Sequence, residues 1–183
     1  MSKKQQIEFL IVDNTAFAST FDVNLFAQNH SHSEVLLTNL VLEEATRTTR
    51  SRRTVEIAQM QNSLRIRDPS NPFMVRAKKF ARKTGDLGAL SEPDLSLVAL
   101  ALEVQSENPD KGVYVMSDDY SVQNVCAQCV PPINILTFTK EGIRETIVWE
   151  VYCPQCYKIY EPTDLNKKCT ICNVKLKRRK QRE

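Results

Sequence analysis

Two sets of side chains in this sequence have the chemistry to bind metal ions, and they suit different ions. Cys153, Cys156, Cys169 and Cys172 form two CxxC pairs separated by twelve residues. Two hairpin tips that each present a thiolate pair close a tetrahedral zinc site, and a module of about thirty residues is too small to fold on an apolar core alone. One structural zinc per chain is the expectation. The second set is acidic: Asp13, Glu44, Asp94 and the adjacent Asp118 and Asp119. Grouped carboxylates raise one another's pKa unless a cation compensates them. Hard oxygen ligands suit Mg²⁺ or Mn²⁺, which lower the pKa of a bound water and steady charge on a phosphoryl oxygen. That is the apparatus of metal-dependent phosphodiester hydrolysis. The chain has four glycines and no Gly-rich phosphate loop, which argues against an NTPase or a dinucleotide enzyme.

The elements that must carry the acids follow from the pattern of apolar residues. Residues 7–12 read as a buried strand ended by Asp13-Asn14-Thr15, and residues 34–37 as a short extended entry to a helix over 39–48. On that helix Glu44 shares a stripe with Leu37, Leu40 and Val41, whereas Glu43 points elsewhere. A basic polar stretch at 47–53 precedes a helix over 54–61, a strand over 64–67 and the breakers Asp68-Pro69-Ser70-Asn71-Pro72. Pro72 opens a helix that ends at Thr84-Gly85. The helix after Ser91 is apolar nearly all round over 95–104 and should be the most buried. Strands over 113–116 and 133–138 flank a helix over 119–129. Strands alternating with helices predict an α/β, three-layer domain with a parallel sheet. In such a sheet the C-terminal strand ends and the helix N-termini meet along one rim, which receives Asp13, Asp94, Asp118 and Asp119.

Each acid also has a purely local reading. Ser91-Glu92-Pro93-Asp94 is a capping box, so Asp94 serves equally as a helix cap. Asp118 or Asp119 fits a cap or turn, and Asp13 a strand-end Asx turn. Glu44 on an apolar stripe is costly unless paired, and an arginine is one partner for it.

Composition bounds the partners. The chain has 183 residues, 42% of them hydrophobic and 26% charged, which fits one ordinary domain plus a small one. Net charge is only +3, yet residues 175–183 hold six cations against one acid. That segregation points to a polyanion at one end and cations at the other. No segment approaches about 18 consecutive apolar residues, so no membrane span is expected and a cytoplasmic protein is. The expected organisation is a nuclease-like domain over 1–140, a linker over 141–147, a zinc ribbon over 148–176 and a basic tail over 177–183.

VDNTAF after the first strand, LVLEEA on a helix, TGDLGALSEPDLSLVALALE, and SDDYSVQNV after a later strand resemble the PIN-domain endoribonucleases of small-ribosomal-subunit maturation, the Nin-one-binding protein family. The C-terminal CxxC pairs match its zinc ribbon, and the short interval between motif blocks is similar to its compact archaeal members. The resemblance implies a PIN-like domain that cuts precursor rRNA at the 3′ end of the small-subunit rRNA, leaving a 5′ phosphate and a 3′ hydroxyl. Its acids would be Asp13, Glu44, Asp94 and the pair Asp118 and Asp119, with Mn or Mg as the catalytic ion. An acid two residues after Ser or Thr is the PIN pattern and favours Asp119, while Asp86 of the TGD block takes a supporting role. The implied partners are precursor rRNA, the pre-ribosomal small subunit and ribosome assembly factors. A non-catalytic RNA-binding assembly factor is the alternative, and the zinc module argues against a general PIN toxin.

Cys126 and Cys129 make a third CxxC, late in a helix that should pack on the sheet. They are expected to be buried, inert thiols rather than ligands. Tyr157 and Asn173 stand where zinc knuckles usually place glycine at positive φ, so the first knuckle should be distorted. Basic clusters at Arg47, Arg50, Arg52 and Arg53, at Arg76, Lys78, Lys79, Arg82 and Lys83, and in the tail would act as phosphate contacts for RNA.

Overall fold

The computed structural model describes residues 6–18, 21–138 and 142–181. Parts of the expected organisation, at 1–5, 19–20, 139–140, the first linker residue 141, and 182–183, lie outside the described residues. Five parallel strands form the main sheet: β1 (Phe9–Val12), β2 (Glu34–Leu37), β3 (Arg65–Ile66), β4 (Val113–Met116) and β5 (Asn134–Leu136), in the order β3-β2-β1-β4-β5. Between β1 and β2 lie α1 (Thr15–Ala18) and α2 (Val23–Asn29), and between β2 and β3 lie α3 (Asn39–Ala45) and α4 (Thr49–Met60). After β3 come α5 (Asn71–Thr84) and α6 (Glu92–Glu107), and α7 (Tyr120–Gln128) joins β4 to β5.

Strand periodicity divides the core in two. Ile11, Val113 and Val115 pack with the buried residues of α5, α6 and α7 on one face of the sheet. Their neighbours Leu10, Val12 and Met116 face the other way, against Val23 of α2, Val41 and Ala45 of α3, and Val55 and Ala58 of α4. Both faces are covered, which is why β1 reads as an uninterrupted apolar run. α6 is the most buried helix, as its composition predicts, with every residue from Leu95 to Leu102 inside.

Two expectations are corrected here. The basic stretch at 47–53 is largely helical, because Thr48 caps α4 by accepting from Ser51 N–H at 3.2 Å, and arginine is a good helix former. The basic tail is, over Lys177–Lys180, a strand. This β8 pairs antiparallel with β6 (Trp149–Tyr152), which also pairs with β7 (Ile159–Tyr160), to make the three-stranded sheet of the ribbon. Arg178 and Arg179 lie over the rings of Trp149 and Tyr152, at 4.7 and 4.4 Å from the centroids, so each cation rests on an aromatic ring while its strand pairs.

Candidate active site and metal-binding ribbon

The strand order changes direction between β1 and β4, and a parallel sheet opens a crevice beyond the C-terminal ends of the strands at such a point. Asp13 follows β1 there. It is only 5% exposed, and its N–H donates to Met116 O at 3.1 Å across the gap between the two strands. Asn14 N–H donates to its Oδ1 at 2.6 Å, while Ser117 Oγ and Thr15 Oγ1 donate to Oδ2 at 2.9 and 3.2 Å. Burial nevertheless pushes the Asp13 carboxyl above its ordinary range, and the negative charge of Asp94 pushes in the same direction. The three hydrogen bonds oppose that rise without cancelling it.

Ser117 is the bridge from Asp13 to the next acid. Its fully buried hydroxyl donates to Asp13 and accepts from Asp119 N–H at 3.1 Å. Asp119 caps α7, with Oδ1 accepting from Ser121 N–H at 2.6 Å and Val122 N–H at 3.4 Å. Asp94 closes the capping box of α6, with Oδ2 accepting from Ser91 N–H at 2.8 Å and Ser91 Oγ at 2.6 Å. The local and the chemical readings are therefore compatible, since each cap uses one carboxylate oxygen. Asp118 turns the other way, where its Oδ1 accepts from Phe138 N–H at 2.7 Å beside β5. That geometry favours Asp119 over Asp118 as the acid that faces the crevice.

Glu44 lies on α3, which is pinned to α6 near its N-terminus. Thr38, fully buried, caps α3 and touches Ser96 Oγ of α6 at 2.7 Å. Because Ser96 donates to Pro93 O at 2.7 Å, the shared proton belongs to Thr38, and the two helices are pinned two residues from Asp94. Glu43 is exposed, whereas the Glu44 side chain keeps 31% of its surface and has Arg47 Nη1 at 3.9 Å. Among the described residues no lysine or arginine pairs with Asp13, Asp94 or Asp119. The acids are nonetheless spread more widely than the cysteines, the one set among the described residues to bring three or more such ligand atoms within 4.8 Å of one another. Asp13 is linked to Asp119 through Ser117 and feels the charge of Asp94, while Glu44 is carried by the helix pinned to that of Asp94.

Asp86 stands apart from this crevice. It is fully buried, and its carboxylate accepts from Asn124 Nδ2 at 2.6 Å and from Arg178 Nη1 at 2.9 Å. Ser117, Thr38 and Asn124 escaped sequence reasoning as site residues. The signal for Ser117 was its place two residues before Asp119, where the PIN pattern has Ser or Thr.

The four C-terminal cysteines have their Sγ atoms all within 4.8 Å of one another, and Cys156 Sγ and Cys169 Sγ are 3.7 Å apart. A tetrahedron with Zn–S arms of about 2.3 Å has edges of about 3.8 Å, whereas a disulfide needs about 2.05 Å. The two knuckles share one hydrogen-bond pattern: Cys153 N–H to Lys158 O and Tyr157 N–H to Cys153 O in the first, Cys169 N–H to Val174 O and Asn173 N–H to Cys169 O in the second. Tyr157 and Asn173 both adopt positive φ, 60° and 57°. The expected distortion of the first knuckle is absent: Tyr157 takes the left-handed conformation as Asn173 does, bearing the local cost of its Cβ there. Tyr160 Oη at 3.1 Å, then the N–H groups of Cys172 and Ile171 at 3.4 Å, lower the Cys169 thiol to about 6, while the hydrogen bond with Cys156 raises the Cys172 thiol to about 12, so without an ion one thiolate is favoured at its neighbour's expense. Cys126 and Cys129 are buried and free. Burial raises both thiols, Cys129 to about 12, which leaves them protonated and inert.

Comparison with known proteins agrees with this geometry. Residues 10–104 match the family model described as the PIN domain of ribonuclease. Endoribonuclease Nob1 of Pyrococcus abyssi is 30% identical over 175 residues, which cover 94% of this chain and 96% of that protein. Endoribonuclease Nob1 of Methanothermobacter thermautotrophicus is 27% identical over 175 residues, covering 93% and 98%. Ribonuclease VapC1 of Thermoplasma acidophilum is 31% identical over 115 residues, covering 63% of this chain and 54% of that protein. The VapC1 match is confined to part of each protein, while the Nob1 matches run through both the acidic crevice and the cysteine ribbon. The chain therefore belongs to the endoribonuclease Nob1 family of PIN-domain ribonucleases.

Proposed function

We propose that this protein is a divalent-metal-dependent endoribonuclease that cuts precursor rRNA at the 3′ end of the small-subunit rRNA. The observation that carries the reading is Asp13: a buried carboxylate, raised by its surroundings and by Asp94, with no cationic side chain beside it among the described residues. Such a group is compensated by a divalent cation or stays costly. Asp13, Glu44, Asp94 and Asp119 would hold Mn²⁺ or Mg²⁺. A hard divalent cation, when bound, supplies charge compensation and Lewis acidity toward water and phosphoryl oxygen.

The chain's own residues do the rest. Ser117 and the Asn14 N–H fix the plane of the Asp13 carboxylate, so the group need not reorganise during the reaction. Asp94 and Asp119, each committed to its helix by one oxygen, hold the other toward the crevice. The exposed Arg50, Arg52 and Arg53 of α4 contact backbone phosphates and position the strand without reading its sequence. The cysteine set holds one zinc, which keeps the ribbon folded. Precursor rRNA within the small-subunit particle is the natural substrate, and bases splayed from single-stranded RNA would give the specificity.

The test is Mn²⁺-dependent cleavage of an RNA spanning the mature 3′ end, run beside Asp13→Asn. Cutting at one junction by the native protein, with 5′ phosphate ends and a loss of more than about 100-fold in the variant, is the expected result. Equal cutting by both proteins would remove Asp13 from catalysis. Binding without cutting by either would favour a non-catalytic assembly factor.

A further inference from the structure

Among the described residues Asp86 is the most deeply buried acid that the reaction leaves unused, and its partners come from two domains. Asn124 of α7 donates to Asp86 Oδ2 and to Ile147 O, at 2.6 and 2.7 Å, and accepts from Ile147 N–H at 2.8 Å. Both ends of one amide thus tie the carboxylate to the segment that leads into the ribbon. Arg178 of β8 donates to Asp86 Oδ1 at 2.9 Å and reaches Ser121 Oγ at 3.4 Å, with its guanidinium lying over Trp149.

The backbone closes the same contact. A Cβ on Gly85 would lie 2.0 Å from Trp149 O, and one on Gly88 would lie 2.1 Å from Pro162 O. Gly85 also has a φ of 77°, which ends α5 in the left-handed conformation. Gly88 has no positive φ to require glycine, so the approach of the ribbon is what excludes a side chain there. Around this centre Tyr120 Oη donates to Glu145 O at 3.1 Å, and Lys180 pairs with Glu145 at 3.2 Å. Tyr120 directly follows Asp119, so β8 is held on the flank of the acidic crevice.

We propose that Asp86 is a positioning residue rather than a metal ligand: with Asn124 and Arg178 it latches the ribbon onto the nuclease domain, so that the two move as one body. Removing either partner of a buried charge pair leaves the other uncompensated, so the latch is sensitive to single changes. An RNA that spans crevice and ribbon then meets two surfaces at a fixed spacing, and the cost of aligning them is met on folding.

The experiment measures domain orientation by amide residual dipolar couplings in the full-length protein, for the native chain, Arg178→Met and Gly88→Ala. One alignment tensor should fit both domains of the native protein. Each variant should require two tensors while its ribbon resonances stay dispersed, the behaviour of domains freed from their interface. Gly88→Ala changes neither charged residue and needs no positive φ, so it decides the matter even where a change at the buried charges impairs folding. Two tensors in the native protein, or a single tensor in both variants, would overturn the latch. A second readout rests on the nuclease reading above. KM for an RNA that reaches both domains should rise about tenfold in Gly88→Ala with kcat unchanged, because only the tethered second contact is lost. The couplings do not depend on RNA cleavage, so a failed latch and a failed nuclease assignment are told apart.

Discussion

Asp13 shows how one buried carboxylate ties stability to chemistry. Its pKa is raised in the folded, metal-free chain, so the folded form binds a proton there more readily than the unfolded form does. The stabilising contribution is full below the ordinary value of 3.8 and is lost as pH rises through the raised value. Near neutrality the ionised group opposes folding. Asp13→Asn is therefore expected to raise the stability of the metal-free protein at neutral pH by about 0.5–2 kcal/mol, while removing activity. Thermal unfolding measured across pH should show that gain shrinking toward pH 3.8. A variant less stable than the native chain at neutral pH would mean that Asp13 serves mainly as a turn residue. Asp13 was legible from the sequence because a carboxylate at the end of an apolar strand has few destinations. The partners that make it unusual were not, since Ser117 lies 104 residues away.

At the scale of elements, the parts with one strong periodicity were readable and the parts held by tertiary contact were not. β1, β4 and α6 announce themselves by apolar runs of strand or helix length. α2 has a single buried residue, Val23, and so no stripe to detect, and its sequence signal is no more than the Asp22 cap. β8 carries four cations in a row and little strand propensity, yet it pairs because β6 offers an edge and two aromatic faces. The pin between α3 and α6 belongs to the same class, two hydroxyls 58 residues apart. Thr38→Val removes the cap of α3 and leaves Ser96 Oγ without its donor, at an expected cost of about 1–3 kcal/mol. Chemical denaturation should register that loss, and cleavage should fall as Glu44 drifts from Asp94. Native stability in Thr38→Val would show that the hydroxyl pair is dispensable.

The whole molecule joins a domain with an ordinary core to a ribbon that has almost none. The ribbon's buried cluster is Val151, Cys153, Cys169 and Leu176, and two of those four are metal-site cysteines. A ribbon with so small a core would depend for its folding on the ion that its four cysteines could hold. Combining Cys169→Ser with Cys172→Ser should release the one zinc and unfold the ribbon. The nuclease domain should keep its own transition, since both of its core clusters draw on residues before 139 alone. Metal analysis together with calorimetry checks this, and two ions per chain, or one retained after the double change, would refute the ligand assignment. Among the described residues no helix is long and apolar enough to cross a membrane.

The proposed chemistry needs Asp13, Asp94 and Asp119, carried by three separate elements, to converge on one divalent cation together with Glu44. Paramagnetic broadening by Mn²⁺ in amide spectra of the full-length protein tests it most directly. Broadening should centre on residues 13–15, 94–95 and 117–121 at substoichiometric Mn²⁺, with weaker effect on α3, and should vanish in Asp13→Asn. Broadening centred on other surface acids, or unchanged in that variant, would contradict the account.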